Sequence, residues 1–267
     1  MRQEPPVFCD RPCGQESITY CPKIPPSVRR SPRQTIWILL LLVVLASGGV
    51  LLWGLGAGRL VDWDEGFYAE VAREILETGD WITLRWNDQK FFDQPPLLMW
   101  LTALTFQLNG VSEFSARLPS ALAGVGVVLL TFLIARRVGD PATGVVAAVV
   151  LLTSRHFVVQ ARQGMIDVLL TFWICLAVYA YLLVQEGHPR FWLVVGIAGG
   201  LAVLTKSAAG LAAPAALLAS ITVERRIRTT FRSRAFWMAL GLAALVILPW
   251  HVMAYMRNGE EFAARYL

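Results

Sequence analysis

The chain has little charge, little sulfur and little histidine. Of its 267 residues, 16% are charged, 4 are cysteine and 3 are histidine. The scarcity of charge is uneven, because residues 36–55 and 235–250 carry none at all. His156, His188 and His251 form no metal-binding spacing. Cys9, Cys13 and Cys21 follow a C-x3-C-x7-C pattern with no paired C-x2-C and no histidine beside it, which argues against a zinc module. Cys175 falls in an apolar run, where a thiol packs as a small hydrophobe.

Apolar residues are what the chain has in excess, at 56%. Soluble domains hold roughly 45–50% on a set that counts Gly but not Tyr. A helix needs about 20 mostly apolar residues to cross ~30 Å of hydrocarbon. In lipid, only helices and closed barrels satisfy every backbone polar group. The expected fold is therefore all-α: a polytopic integral membrane bundle of about seven spans, near 36–56, 114–135, 141–157, 168–185, 191–205, 209–223 and 235–255. The first apolar run exceeds the ~7–15 residues of a signal-peptide core, and no clean small-residue cleavage site follows it. Residues 1–35 are rich in proline, arginine and polar residues and read as a disordered tail; 36–267 read as the membrane domain.

Charge gives the expected orientation. The connectors 1–35, 136–140, 186–190 and 224–234 carry 14 of the 24 Lys and Arg. By the positive-inside rule these face the cytoplasm, so the N-terminus is inside and 57–113 is outside a cell (inner) membrane. The net charge of +5 then reflects topology and does not point to nucleic acid. The outer stretch 57–113 holds ten of the 19 acidic residues. Within it, Tyr68, Val71, Ala72, Ile75 and Leu76 recur at helical spacing opposite Glu70, Arg73, Glu74 and Glu77, and Gly79 is a stop signal. This predicts an amphipathic helix over 65–78, lying in the interface. Pro95-Pro96 opens a second helix over 96–108, too short to cross.

The segments Asp64-Glu65-Gly66-Phe67-Tyr68-Ala69-Glu70, Glu77-Thr78-Gly79-Asp80-Trp81, Lys90-Phe91-Phe92-Asp93-Gln94-Pro95-Pro96-Leu97, Phe114-Ser115-Ala116-Arg117-Leu118-Pro119-Ser120, Leu204-Thr205-Lys206 and Leu248-Pro249-Trp250 occur in this order. Together they resemble the aminoarabinose transferase (ArnT) and protein O-mannosyltransferase superfamily, over about 36–267. The resemblance implies an inverting membrane glycosyltransferase. Its donor would be a polyprenyl-phosphate sugar, its acceptor a lipid, glycan or protein, and its surroundings membrane lipids. Phe67 stands where the aminoarabinose branch has Arg, and Asp93-Gln94 where it has Glu-Lys; both argue against that branch's lipid A substrate. Relatives run to about twice this length, so the chain is expected to be the N-terminal portion of such an enzyme.

The resemblance also assigns roles. Asp64 aligns with the family's catalytic acid, with Glu65 orienting it or helping to bind acceptor. Asp93 and Asp167 would shape the site or hold a divalent metal ion. Lys90, Arg162, Lys206 and Tyr68 would bind substrate. From the residues alone, other duties are open: Asp64 and Asp93 can cap helices, Asp167 can pair with Arg162, Lys90 can meet lipid headgroups, and Lys206 can snorkel. A polytopic transporter, a lipid-handling protein or an inactive remnant are the competing functional readings. A transporter should carry polar breaks near the bilayer midplane; here the charges sit at span ends and in the outer loop.

Overall fold

The computed structural model describes residues 33–60, 64–223 and 227–266. The tail reading for 1–35 and the Cys9, Cys13 and Cys21 question lie outside these residues, except that 33–35 already belong to the first helix. Eleven helices follow among the described residues: α1 Arg33–Leu52, α2 Asp64–Thr78, α3 Leu97–Asn109, α4 Glu113–Val138, α5 Pro141–Thr153, α6 Arg155–Arg162, α7 Ile166–Gln185, α8 Trp192–Lys206, α9 Ala212–Val223, α10 Ile227–Phe231 and α11 Arg234–Tyr266. One short hairpin, β1 Arg85–Trp86 and β2 Gln89–Lys90, interrupts them between α2 and α3. The chain is an all-α, multi-pass membrane bundle.

Five helical segments are long and apolar enough to cross a membrane, or six if the bent pair α5 and α6 counts as one span. Their outer surfaces show why lipid is needed. Trp37 is 70% exposed, Leu245 68% and Met256 79%, an apolar surface that water would not tolerate at this extent. The seven-span expectation needs two corrections. The third span breaks at Thr153–Arg155 with a 69° bend, where the Ser154 backbone leaves the helix (φ −70°, ψ 106°). The expected 209–223 helix is a 3-10 turn, Ser207–Leu211, followed by only 12 residues of α9. At 1.5 Å per residue, α9 reaches roughly 18 Å, too short to span alone. The turn and α9 together still return the chain across the bundle. Gly210 packs on the Ala202 and Val203 backbone, near the C-terminal end of α8. Leu217 and Ile221 join Tyr181, Trp192 and Phe236 at the opposite end.

The two interfacial helices form where the periodicity places them. α2 buries Tyr68, Val71, Ala72 and Ile75, and full burial of such side chains contributes roughly 1.5–3 kcal/mol each. Its exposed face is laced by Arg73, which bonds Glu70 at 2.6 Å and Glu77 at 2.9 Å. Gly79 ends it with φ +68°. α3 packs its own apolar face, with Leu98 and Met99 essentially fully buried, against α2 and α4. α11 extends well past the expected 235–255. It leaves the bundle, kinks at Gly259 (φ 56°, ψ −133°), a conformation open to glycine, and lies across the α2–α3 segment. Trp250 Nε1 donates to the Ile82 carbonyl at 3.1 Å, Arg257 meets Asp80 at 2.9 Å, and Asn258 donates to Thr83 Oγ1 at 3.0 Å.

α8 and α11 approach through Gly196. A Cβ built there would sit 2.2 Å from the Ala239 carbonyl oxygen, whereas one at Gly199 meets nothing within 4 Å. Gly196→Ala should therefore force the helices apart and lower thermal stability by about 1–3 kcal/mol, the usual cost of overpacking. Gly199→Ala should be neutral or better. Melting of the two purified variants in the same detergent checks the contrast, and equal melting points would refute it.

Candidate active site

The residues read as a site come from four places in the chain. Asp64 and Tyr68 lie on α2, Asp93 precedes α3, Asp167 opens α7, and Lys206 ends α8. The fold gathers the three carboxylates around one phenol. Tyr68 is buried, and its hydroxyl titrates at about 12, above the ordinary 10.0. Burial is the largest cause; the charges of Asp64, Asp167 and Asp93 add to it. All three acids thus lie within Coulombic reach of a single oxygen.

The sign follows from that shift. Tyr68 stays protonated in the folded chain and keeps an O–H to donate. Its contribution to stability is complete below pH 10.0 and is lost as pH rises from there through about 12. In an ultraviolet difference titration against Tyr68→Phe, this phenol should ionise near pH 12. Asp64→Asn should move the midpoint down without restoring 10.0, because burial is the larger cause. A midpoint at 10.0 in the unaltered protein would contradict the geometry.

Asp64 and Asp93 are solvent-exposed. Asp64 is the first residue of α2 and makes no hydrogen bond or ion pair among the described residues. The α3 N-cap is Pro96, with no side-chain cap, so Asp93 does not serve as one. Asp167 pairs with Lys206 at 2.6 Å, so the Arg162 pairing open from sequence is not made. Arg162 instead donates to the carbonyls of Val50 at 2.8 Å and of Leu51 and Gly54 at 3.4 Å. It satisfies the end of α1, where helix carbonyls have no intrahelical partner. Its guanidinium also lines a small open cavity with Arg117 and Gln163.

Glu65 lies inward of Asp64. Its side chain is 2% exposed and bonded to Arg117 at 2.7 Å. A second Arg117 nitrogen reaches it at 3.2 Å, and the Gly164 amide donates to it at 3.1 Å. It faces the protein interior, away from the solvent that Asp64 meets. Arg117 is the residue that sequence reasoning missed. Besides Glu65, it donates to the carbonyls of Leu55, Ala57, Gly58 and Arg59 at 2.8 to 3.3 Å. The guanidinium ties the segment after α1 to the start of α2, and Glu65 in turn holds the turn before α7 through the Gly164 amide. Its motif was visible as part of the resemblance, but a partner 52 residues away is not a sequence signal.

Lys90, on β2, pairs with Glu261 of α11 at 2.8 Å. Beneath it, Phe67 packs on Phe91 and Trp86, with ring centroids 4.7 and 4.9 Å apart. The residue that departs from the aminoarabinose pattern therefore seats the hairpin on α2. The divalent-metal expectation for Asp93 and Asp167 finds no support in the donor set. Among the described residues, no three of His, Cys, Asp and Glu could share an ion, and Asp167 already holds Lys206.

Fold and site define a multi-pass membrane protein whose polar site is built on interfacial helices at one end of the bundle. The chain belongs to the dolichyl-phosphate-mannose-protein mannosyltransferase family, whose model matches residues 93–253. It is 31% identical over 214 residues to the undecaprenyl phosphate-alpha-4-amino-4-deoxy-L-arabinose arabinosyl transferase of Edwardsiella ictaluri, covering 77% of this chain and 38% of that protein. The crystal structure of ArnT from Cupriavidus metallidurans bound to undecaprenyl phosphate superposes with TM-score 0.77 at 28% identity, covering 87% of this chain and 43% of that one. The S. cerevisiae protein O-mannosyltransferase Pmt1-Pmt2 complex shares the fold, with TM-score 0.64 at 18% identity. The chain spans less than half the length of the curated relatives it matches.

Proposed function

We propose that this chain is the site-bearing part of a glycosyltransferase that moves a sugar from a polyprenyl-phosphate donor to a hydroxyl on a lipid, glycan or protein. The observation that carries the proposal is the convergence of Asp64, Asp93 and Asp167 on the Tyr68 phenol, with Lys206 bonded to one of them. Asp64 takes the acceptor's hydroxyl proton. The oxygen attacks the anomeric carbon, the carbon–oxygen bond to phosphate breaks, and polyprenyl phosphate leaves with its negative charge. Lys206 and Lys90 hold that charge; an ammonium has three donors, so Lys206 can keep Asp167 while binding a phosphate oxygen. Tyr68, held neutral, donates to the sugar or phosphate, and Asp93 orients the sugar hydroxyls. The relatives support this reading, because their names specify a polyprenyl-phosphate-linked aminosugar transfer and a bound undecaprenyl phosphate.

The orientation belongs to the same proposal: an inner membrane, with the N-terminus and Arg228 in the cytoplasm and the α2–α3 segment outside. Single-cysteine labelling of intact cells tests it. Cysteines at Trp86 and Asn109 should react with an impermeant maleimide and one at Arg228 should not; the reverse pattern would overturn the orientation. The activity itself is tested by reconstituting the full-length protein with a short-chain polyprenyl-phosphate sugar. Release of free polyprenyl phosphate that depends on an added acceptor is expected. Its absence from folded protein across a panel of such donors favours the lipid-handling reading.

A further inference from the structure

At the end of the bundle away from the carboxylates, two cavities meet at Trp192. One, of about 240 Å³, lies between α8, α9 and α11, and is lined by apolar side chains such as Val203, Leu211 and Ile247, with Gly199 contributing no side chain. Leu218 and Leu240 stand on its lip, 49% and 46% exposed, so it opens sideways to the surroundings of the bundle. The second, of about 140 Å³, has a mixed lining, polar at Tyr181, Gln185, Thr229, Thr230 and Ser233 and apolar at Val184 and Trp192. Exposed Arg228, Arg232 and Arg234 stand on the same connector and helix start. None of the three side chains has a hydrogen bond or ion pair among the described residues, and Glu186, at the end of α7, is held by Arg137.

We propose that the paired cavities bind one anionic phospholipid, acyl chain in the apolar cavity and phosphate headgroup in the second, against the three arginines. Length selects this occupant. From Trp192 to Val203 is eleven residues of α8, roughly 16 Å at 1.5 Å per residue. That is about half of a ~30 Å hydrocarbon layer, the depth of one leaflet's acyl chain and short for a whole polyprenyl tail. Charge selects the headgroup: basic pockets between membrane helices recognise anionic lipids, whereas a zwitterionic headgroup gains little there. Its headgroup end, at Trp192, lies at the other end of α8 from Lys206, and binding there does not depend on the transfer reading.

The test is native mass spectrometry of the purified full-length protein, titrated with phosphatidylglycerol or phosphatidylcholine. Each arginine near an anionic lipid contributes a factor of about five. Replacing Arg228, Arg232 and Arg234 together with Ala should weaken phosphatidylglycerol binding on the order of 100-fold and leave phosphatidylcholine binding unchanged. Gly199→Leu, built into open space, should fill the apolar cavity and abolish retention of the lipid. Leu218→Phe provides a second, independent filling variant should Gly199→Leu melt early in lipid-free detergent. Four outcomes overturn the proposal. Equal retention of both lipids by the unaltered protein means boundary lipid only. Normal phosphatidylglycerol retention by a folded filling variant, or no retained lipid at all, means that the cavity is not a lipid site. Displacement of phosphatidylglycerol by polyprenyl phosphate, itself lost on filling, makes the cavity the donor's tail pocket.

Discussion

Asp64→Asn in the full-length protein is expected to lower sugar transfer by about 10²–10⁴-fold, the usual cost of losing a general base. Expression, membrane insertion and melting temperature should stay at the unaltered values. The swap is nearly isosteric, and Asp64 makes no bond that Asn would break among the described residues. Asn also serves at a helix start as well as Asp does, so a capping role would leave activity intact. The loss should appear in kcat, with donor KM nearly constant, because in the proposed reaction the missing oxygen acts on the acceptor proton. Lys206→Ala should show the other split, raising donor KM, since it removes the proposed phosphate ligand and frees Asp167. If Asp64→Asn turns over normally, the base is elsewhere, and Asp167 is the next carboxylate to test.

Arg117→Ala is expected to be the most damaging change to the fold. It leaves the Glu65 carboxylate buried without its counter-ion and strips four backbone carbonyls of their donor. Breaking a buried pair from one side costs about 3–5 kcal/mol. Arg117→Lys keeps the charge but not the fork that reaches Glu65 and the carbonyls together, and should fall in between. A double change, Glu65→Leu with Arg117→Met, should recover part of the loss, because no charge is then left buried, though the carbonyls remain unpaired. Thermal unfolding of the four proteins in one detergent checks the order. Arg117→Ala melting with the unaltered protein would show that the Arg117 knot contributes nothing.

Much of this architecture was legible because apolar periodicity is a local signal. α2 begins one residue before its expected start, and α3 runs over Leu97–Asn109 against an expected 96–108. Pro95-Pro96, Gly79 and Gly110 are punctuation that can be read without a fold. The β1–β2 hairpin was not legible. Its turn places Asn87 and Asp88 at φ 51° and 61°, and Asn-Asp lacks the glycine that normally marks such a turn. The long-range partners were not legible either. Arg162 and Asp167 are close in sequence, but the helix ends between them at Gln163. Each then finds a partner elsewhere, on α1 and on α8. Glu65 and Asp64 are neighbours with the same charge; only the helix turn decides that one faces Arg117 and the other faces solvent.

The most direct test of the central claim is a structure of the full-length protein with a non-transferable polyprenyl-phosphonate sugar. The account predicts the sugar at the convergence of Asp64, Asp93 and Tyr68. The phosphonate should be bonded to Lys206, with Asp64 within hydrogen-bonding reach of the face from which an acceptor hydroxyl attacks. A donor whose sugar and phosphonate lie on another face of the bundle, with Asp64 facing only solvent, would contradict it.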